Sequence, residues 1–234
     1  MLKAANIQTW SLMDCNHKIK PLGAIFDQDG LLFDTEVVFE RCWREEGEKI
    51  GIVITPEFTR KMSGCGRKEL VKIIASNFQT INAEEFVERV HCAAADAQLA
   101  MTPVIKPGAR EILEFCRFAG IKIALASSSM RRCVDHNLAA SQLTEYFDAV
   151  ITGRDVQNGK PAPDIFLLAA EKIGLPPEKC VVFEDSFNGI RAAYAAGTFP
   201  IIIPDRAEPT PEILKLCTKF SSLLEALNYL KSQD

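Results

Sequence analysis

The chain has 234 residues, is 47% apolar and 25% charged, and carries a formal net charge of -4. That length and composition exclude a disordered chain and one too small to bury a core, and the charge balance leaves no basic surface for nucleic acid. The eight cysteines form no Cys-x-x-Cys pair and the three histidines no His-x-x-His pattern, which argues against a zinc cluster and for structural thiols in a reducing cytoplasm.

Residues 1–21 are broken by polar side chains and hold no apolar segment of signal-peptide length, so they read as an N-terminal extension. No apolar run is long enough to cross a bilayer. The run "PLGAI" then predicts a buried strand, and it leads straight into "FDQDGLLFDT", Phe26 to Thr35. Asp27 and Asp29 are two residues apart, which on an extended backbone points both carboxylates the same way. Two such charges about 5 Å apart repel by roughly 3 kcal/mol at an effective dielectric of 20. Asp34 is expected to order the following turn through local hydrogen bonds.

From residue 36 to 103 the chain reads as helical throughout. Thr55-Pro56 and Asn82…Glu85 supply helix starts, and Glu84–Ala100 supplies a long amphipathic pattern. Beyond it, strands and helices alternate. "IKIALA" (Ile121–Ala126), "FDAVIT" (Phe147–Thr152), "CVVF" (Cys180–Phe183) and "FPIIIP" (Phe199–Pro204) are short and nearly continuous in apolar residues, as in a parallel sheet covered on both faces. Helices are expected after Pro107-Gly108, over Pro163–Ile173, over Asn188–Gly197, from Thr210 and from Ser222. This order predicts a doubly wound, Rossmann-like α/β core, residues 22–35 and 104–234, with an inserted all-α cap, residues 36–103. The cap would sit over the carboxyl ends of the strands, where ligands bind.

Those ends carry a pattern of their own. Asp27 and Asp29 follow the first strand, and Ser127 with Ser128 the second. Lys160 in "GKPAPD" follows the third, and Glu184-Asp185 end the fourth. A parallel sheet brings all of them to one rim. In these residues, in this order, the chain resembles the haloacid dehalogenase-like (HAD) hydrolase superfamily from about Leu22 to the C-terminus. The branch it resembles has a helical cap and includes β-phosphoglucomutase-like and pseudouridine-5′-phosphatase-like members.

The resemblance implies a Mg²⁺-dependent phosphatase that acts on a small organic phosphate monoester, a sugar or nucleoside phosphate, through an aspartyl-phosphate. Asp27 would be the nucleophile and Asp29 the acid and base. Asp27, the Asp29 backbone carbonyl, Asp185 and Glu184 would face the cation, and Ser127, Ser128 and Lys160 the phosphate. Gly64 and Arg67 match a cap stretch that lies over the active site in relatives, so Arg67 is a candidate substrate contact. A monomer with a small phosphorylated metabolite as its partner, and neither nucleic acid nor membrane, is the matching expectation. Two rival readings are a phosphomutase of the β-phosphoglucomutase type and a phosphate sensor on a non-catalytic scaffold. Phe39 and Ser63 stand where the mutase carries a histidine and a lysine, which favours hydrolysis. All the residues that a dead scaffold usually loses are present.

Overall fold

The computed structural model describes residues 20–232. The five apolar runs become strands β1 (Gly23–Phe26), β2 (Lys122–Ser127), β3 (Ala149–Thr152), β4 (Cys180–Glu184) and β5 (Phe199–Ile202). With β6 (Thr218–Lys219) they form one parallel sheet in the order β3-β2-β1-β4-β5-β6. The first strand is central: Phe26 lies beside Leu125 of β2 and Phe183 of β4. The strand order reverses there, so a crevice opens outside the carboxyl ends of β1 and β4.

Successive residues of β1 alternate between the two faces. Ala24 and Phe26 join a core with Leu113 of α5 (Ala109–Phe118), Val134 of α6 (Arg131–Ala140) and Leu227 of α10 (Leu223–Lys231). Ile25 joins the other core, with Phe166 of α7 (Asp164–Lys172) and Ala193 of α8 (Phe187–Ala195). The small residues of α8 let it lie close to the sheet. The expected helix starts at the chain's end hold: Thr210 caps α9 (Pro211–Leu214), and the Ser222 hydroxyl accepts from the Glu225 amide at 3.2 Å. Two elements had no clear pattern. β6 is only two residues long, and α6 offers a stripe of Cys133, Val134, Asn137 and Leu138 interrupted by charge.

The cap is built from α1 (Glu36–Glu48), α2 (Pro56–Met62), α3 (Arg67–Asn77) and α4 (Ala83–Leu99). Thr55 and Asn82 cap α2 and α4 as their side chains predict. The four helices close on a separate apolar core in which Trp43 meets Phe86 edge to face, ring centres 5.6 Å apart. Burying one such phenyl ring contributes about 2–3 kcal/mol, so the cap has its own source of stability. It joins the sheet through two adjacent strands of chain, held by Asp34 N–H to the Val104 carbonyl and Lys106 N–H to the Leu32 carbonyl, both 2.9 Å. Among the described residues no helix is long and apolar enough to cross a membrane.

Candidate active site

The site begins where β1 stops. Asp27 continues the ladder for one residue, its N–H donating to the Phe183 carbonyl at 3.0 Å, and the chain then turns back so that Gly30 N–H meets the Phe33 carbonyl at 2.9 Å. Gly30 has φ +80°, and a Cβ there would lie 2.2 Å from an Asp185 carboxylate oxygen. Only glycine permits both the turn and that approach. Asp27 and Asp29, both ahead of this turn, find different partners.

Asp27 is buried and accepts a hydrogen bond from the Lys160 ammonium. Lys160 also donates to Glu184 Oε1 at 2.6 Å and to the Ala126 carbonyl at 3.0 Å. The second Glu184 oxygen accepts from the Asp185 and Ser186 amides, both at 3.1 Å, and from the Ser186 hydroxyl at 2.9 Å. A Cβ on Gly189 of α8 would overlap this carboxyl at 1.9 Å, so the helix yields its space to a fully buried acid. Burial alone would strip the proton from Lys160, but Asp27 and Glu184 outweigh it and hold the ammonium charged.

One ammonium cannot balance three acids. Burial, reinforced by Glu184 and Asp29 against the pull of Lys160, pushes Asp27 up to about 8. Burial, with Glu184 and Asp27 beside it, also raises Asp185 well above the ordinary carboxylate range. Asp27, Glu184 and Asp185 each offer an oxygen within 4.8 Å of the others, and the Asp185 carboxylate has no hydrogen-bond partner among the described residues. An excess of hard oxygen ligands with an unused carboxylate fits a divalent cation.

Asp29 lies in a cradle of hydroxyls. Ser129 donates to it at 2.7 Å, Thr35 at 2.8 Å and Ser127 at 3.2 Å. Ser127 is fully buried, and its oxygen accepts from the Ser129 amide at 3.0 Å. Ser128 faces the cavity.

The cavity itself, about 540 Å³, lies between the rim and the cap and is lined by Asp27, Asp29, Lys160 and Asp185 below and by Phe39, Trp43, Arg67 and His91 above. Arg67 does reach it, but the guanidinium is paired with Glu88 of α4. Cap and rim touch directly: Asn188 of α8 donates to the Gly64 carbonyl at 3.1 Å and to Glu69 at 3.3 Å. Asp34 departs from expectation, since its partner is not local but Arg206, at 3.4 Å. Arg206 in turn meets Asp205, which Lys106 also holds at 2.5 Å. Sequence reasoning missed Thr35, Ser129, His91, Asn188 and Arg206. The "SSS" run after β2 was the one available signal, since a third hydroxyl beyond a strand end can turn back onto the rim.

The haloacid dehalogenase-like hydrolase family model matches residues 22–197, the stretch that contains Asp27, Asp29, Ser127, Lys160, Glu184 and Asp185. This chain belongs to the haloacid dehalogenase-like hydrolases. A phosphorylated carbohydrates phosphatase of Thermotoga maritima is 38% identical over 176 residues, 74% of this chain and 80% of that protein. Hexitol phosphatase B of Escherichia coli is 33% identical over 208 residues, 87% of this chain and 93% of that protein. Among solved structures, a β-phosphoglucomutase from Clostridium difficile superposes with a TM-score of 0.74, at 25% identity over 92% of this chain and 97% of that one. The hydrolase is therefore an enzyme of a family whose named relatives include phosphatases of small phosphorylated compounds.

Proposed function

We propose that the hydrolase removes phosphate from a small phosphorylated sugar or polyol by way of an aspartyl-phosphate on Asp27. The observation that carries this reading is the buried Asp27–Lys160–Glu184 chain at the floor of the cavity. A buried carboxylate held by one lysine, open on its other side to a cavity, is a positioned nucleophile. In the first step an Asp27 oxygen bonds to phosphorus as the ester oxygen leaves, and Asp29 gives that oxygen its proton. In the second step Asp29 takes a proton from water, the water oxygen attacks the same phosphorus, and the Asp27–phosphorus bond breaks to release inorganic phosphate. Lys160 holds Asp27 in place and offsets charge on the phosphoryl oxygens. Ser128, which lines the cavity, would meet the phosphoryl group, while the buried Ser127, with Ser129 and Thr35, orients Asp29.

Asp27, the Asp29 carbonyl and Asp185 would hold the cation. Glu184, whose two oxygens already accept four hydrogen bonds, serves chiefly to seat Lys160 and the turn into α8. When bound, Mg²⁺ supplies positive charge against the acids and polarises a phosphoryl oxygen. The names of the relatives support a carbohydrate-type substrate, and Phe39, which offers no proton at the cavity wall, favours hydrolysis over isomerisation.

The test is a panel of sugar and polyol phosphates assayed for phosphate release with Mg²⁺, wild type against Asp27→Asn. Loss of a unit of covalent machinery costs on the order of 10⁴-fold or more in kcat. Full activity in the variant would remove Asp27 from the chemistry. Isomerised sugar phosphate formed faster than free phosphate would make the enzyme a mutase.

A further inference from the structure

The cap side of the cavity treats charge in a way that bears on the leaving group. Its cations are already committed, Arg60 to Glu57 and Arg67 to Glu88, while Glu40 adds a carboxylate and Glu36 a carboxyl that burial raises to about 7. An anionic leaving group, such as one bearing a carboxylate or a second phosphate, meets no free cation of the cap there. Phe39 and Trp43 make the surface between these charges aromatic.

His91 of α4 breaks that apolar surface. Its ring and that of Phe39 pack edge to face, centres 6.1 Å apart and planes at 82°. It lines the cavity, and neither ring nitrogen has a hydrogen-bond partner among the described residues. Burial and the neighbouring Arg67 hold it below the ordinary histidine value against the opposing pull of Glu88, so the ring is neutral near pH 7. A neutral imidazole presents one donor and one acceptor, the same pair that a hydroxyl presents in reverse.

We propose that His91 is a specificity-determining residue that pairs with a hydroxyl of the leaving group, so that the cap selects monoesters of an uncharged polyhydroxy chain. The proposal deepens the phosphatase reading and takes its turnover measurement from it. Two assays separate them. In the first, kcat/KM is measured for sorbitol 6-phosphate and for phenyl phosphate, which has no hydroxyl to offer. His91→Phe keeps the edge-on packing volume and should lower the ratio of the two by roughly tenfold, the worth of one such hydrogen bond, while His91→Gln should restore most of it. In the second, calorimetry on Asp27→Asn follows binding of sorbitol 6-phosphate and of inorganic phosphate without turnover. His91→Phe added to that variant should weaken the first about tenfold relative to the second. Absence of turnover in wild type would overturn the phosphatase reading and leave the binding assay to decide the role of His91. An unchanged ratio in the assays that can be read, or an equal loss for both ligands, would overturn the proposal for His91.

Discussion

At the rim of the sheet, Lys160 has a side chain 6% exposed and bonds two carboxylates that are themselves almost covered. On the cap, Arg67 is half exposed and bonds one equally exposed partner, Glu88. Both cations face the same cavity, yet the surroundings assign them different duties. Taking charges out of water costs several kcal/mol each, and that cost is recovered only if every lone pair and proton finds a partner. At the rim it nearly is: Glu184 accepts four hydrogen bonds and Lys160 has three acceptors, Asp27 among them. On the cap the pair stays in water, where it contributes little to stability and can rearrange. The two cations thus differ in how firmly their surroundings hold them.

The comparison predicts its own largest effect. Lys160→Met removes the one ammonium from a buried group of acids, and should cost about 3 kcal/mol of stability, read as a drop in the urea midpoint at constant m-value. Protonation of Asp27 relieves part of this, so the loss should grow between pH 6 and pH 9. A loss below about 1 kcal/mol would mean that the rim is as wet as the cap.

Addition of a cation gives the next effect, and its sign follows from Asp27. The folded carboxyl sits at about 8 against an ordinary 3.8, so between those values the folded protein keeps a proton that the unfolded chain has lost. Its contribution to stability without metal is therefore complete below about pH 4 and declines as pH rises through 8. A cation competes with that proton. At a hundredfold excess over Kd, Mg²⁺ should add about 2.7 kcal/mol at pH 8 and markedly less at pH 5, visible as a larger rise in Tm at the higher pH. Equal rises at both would show that the acids are already ionised without metal.

Much of the rim was legible because parallel strands end together: a residue just past an apolar run has its position fixed by topology, however far apart the runs are in sequence. That logic reached Asp27, Lys160 and Asp185. It failed where a turn or a distant helix sets direction. The two-residue spacing of Asp27 and Asp29 brings both to one cavity, but it gives no sign that the hydroxyls of Thr35 and Ser129 hold Asp29. His91 belongs to an amphipathic pattern that marks which face of α4 is covered, not that a cavity lies beside it. Asp34 meets Arg206 through a contact 172 residues apart in the chain, and no local signal announces it.

The smallest expected effect completes the comparison. Arg67→Met breaks an ion pair whose partners are both about half exposed, and such pairs contribute roughly 0.2–1 kcal/mol. The loss in Tm should accordingly be a few degrees at most, and it should shrink in 1 M salt, where the Debye length is about 3 Å. The same salt should leave the cost of Lys160→Met nearly unchanged, because buried pairs are screened much less. A salt-insensitive loss above 2 kcal/mol for Arg67→Met would place that guanidinium in a dry site, and the cap wall would then share the electrostatic character of the rim.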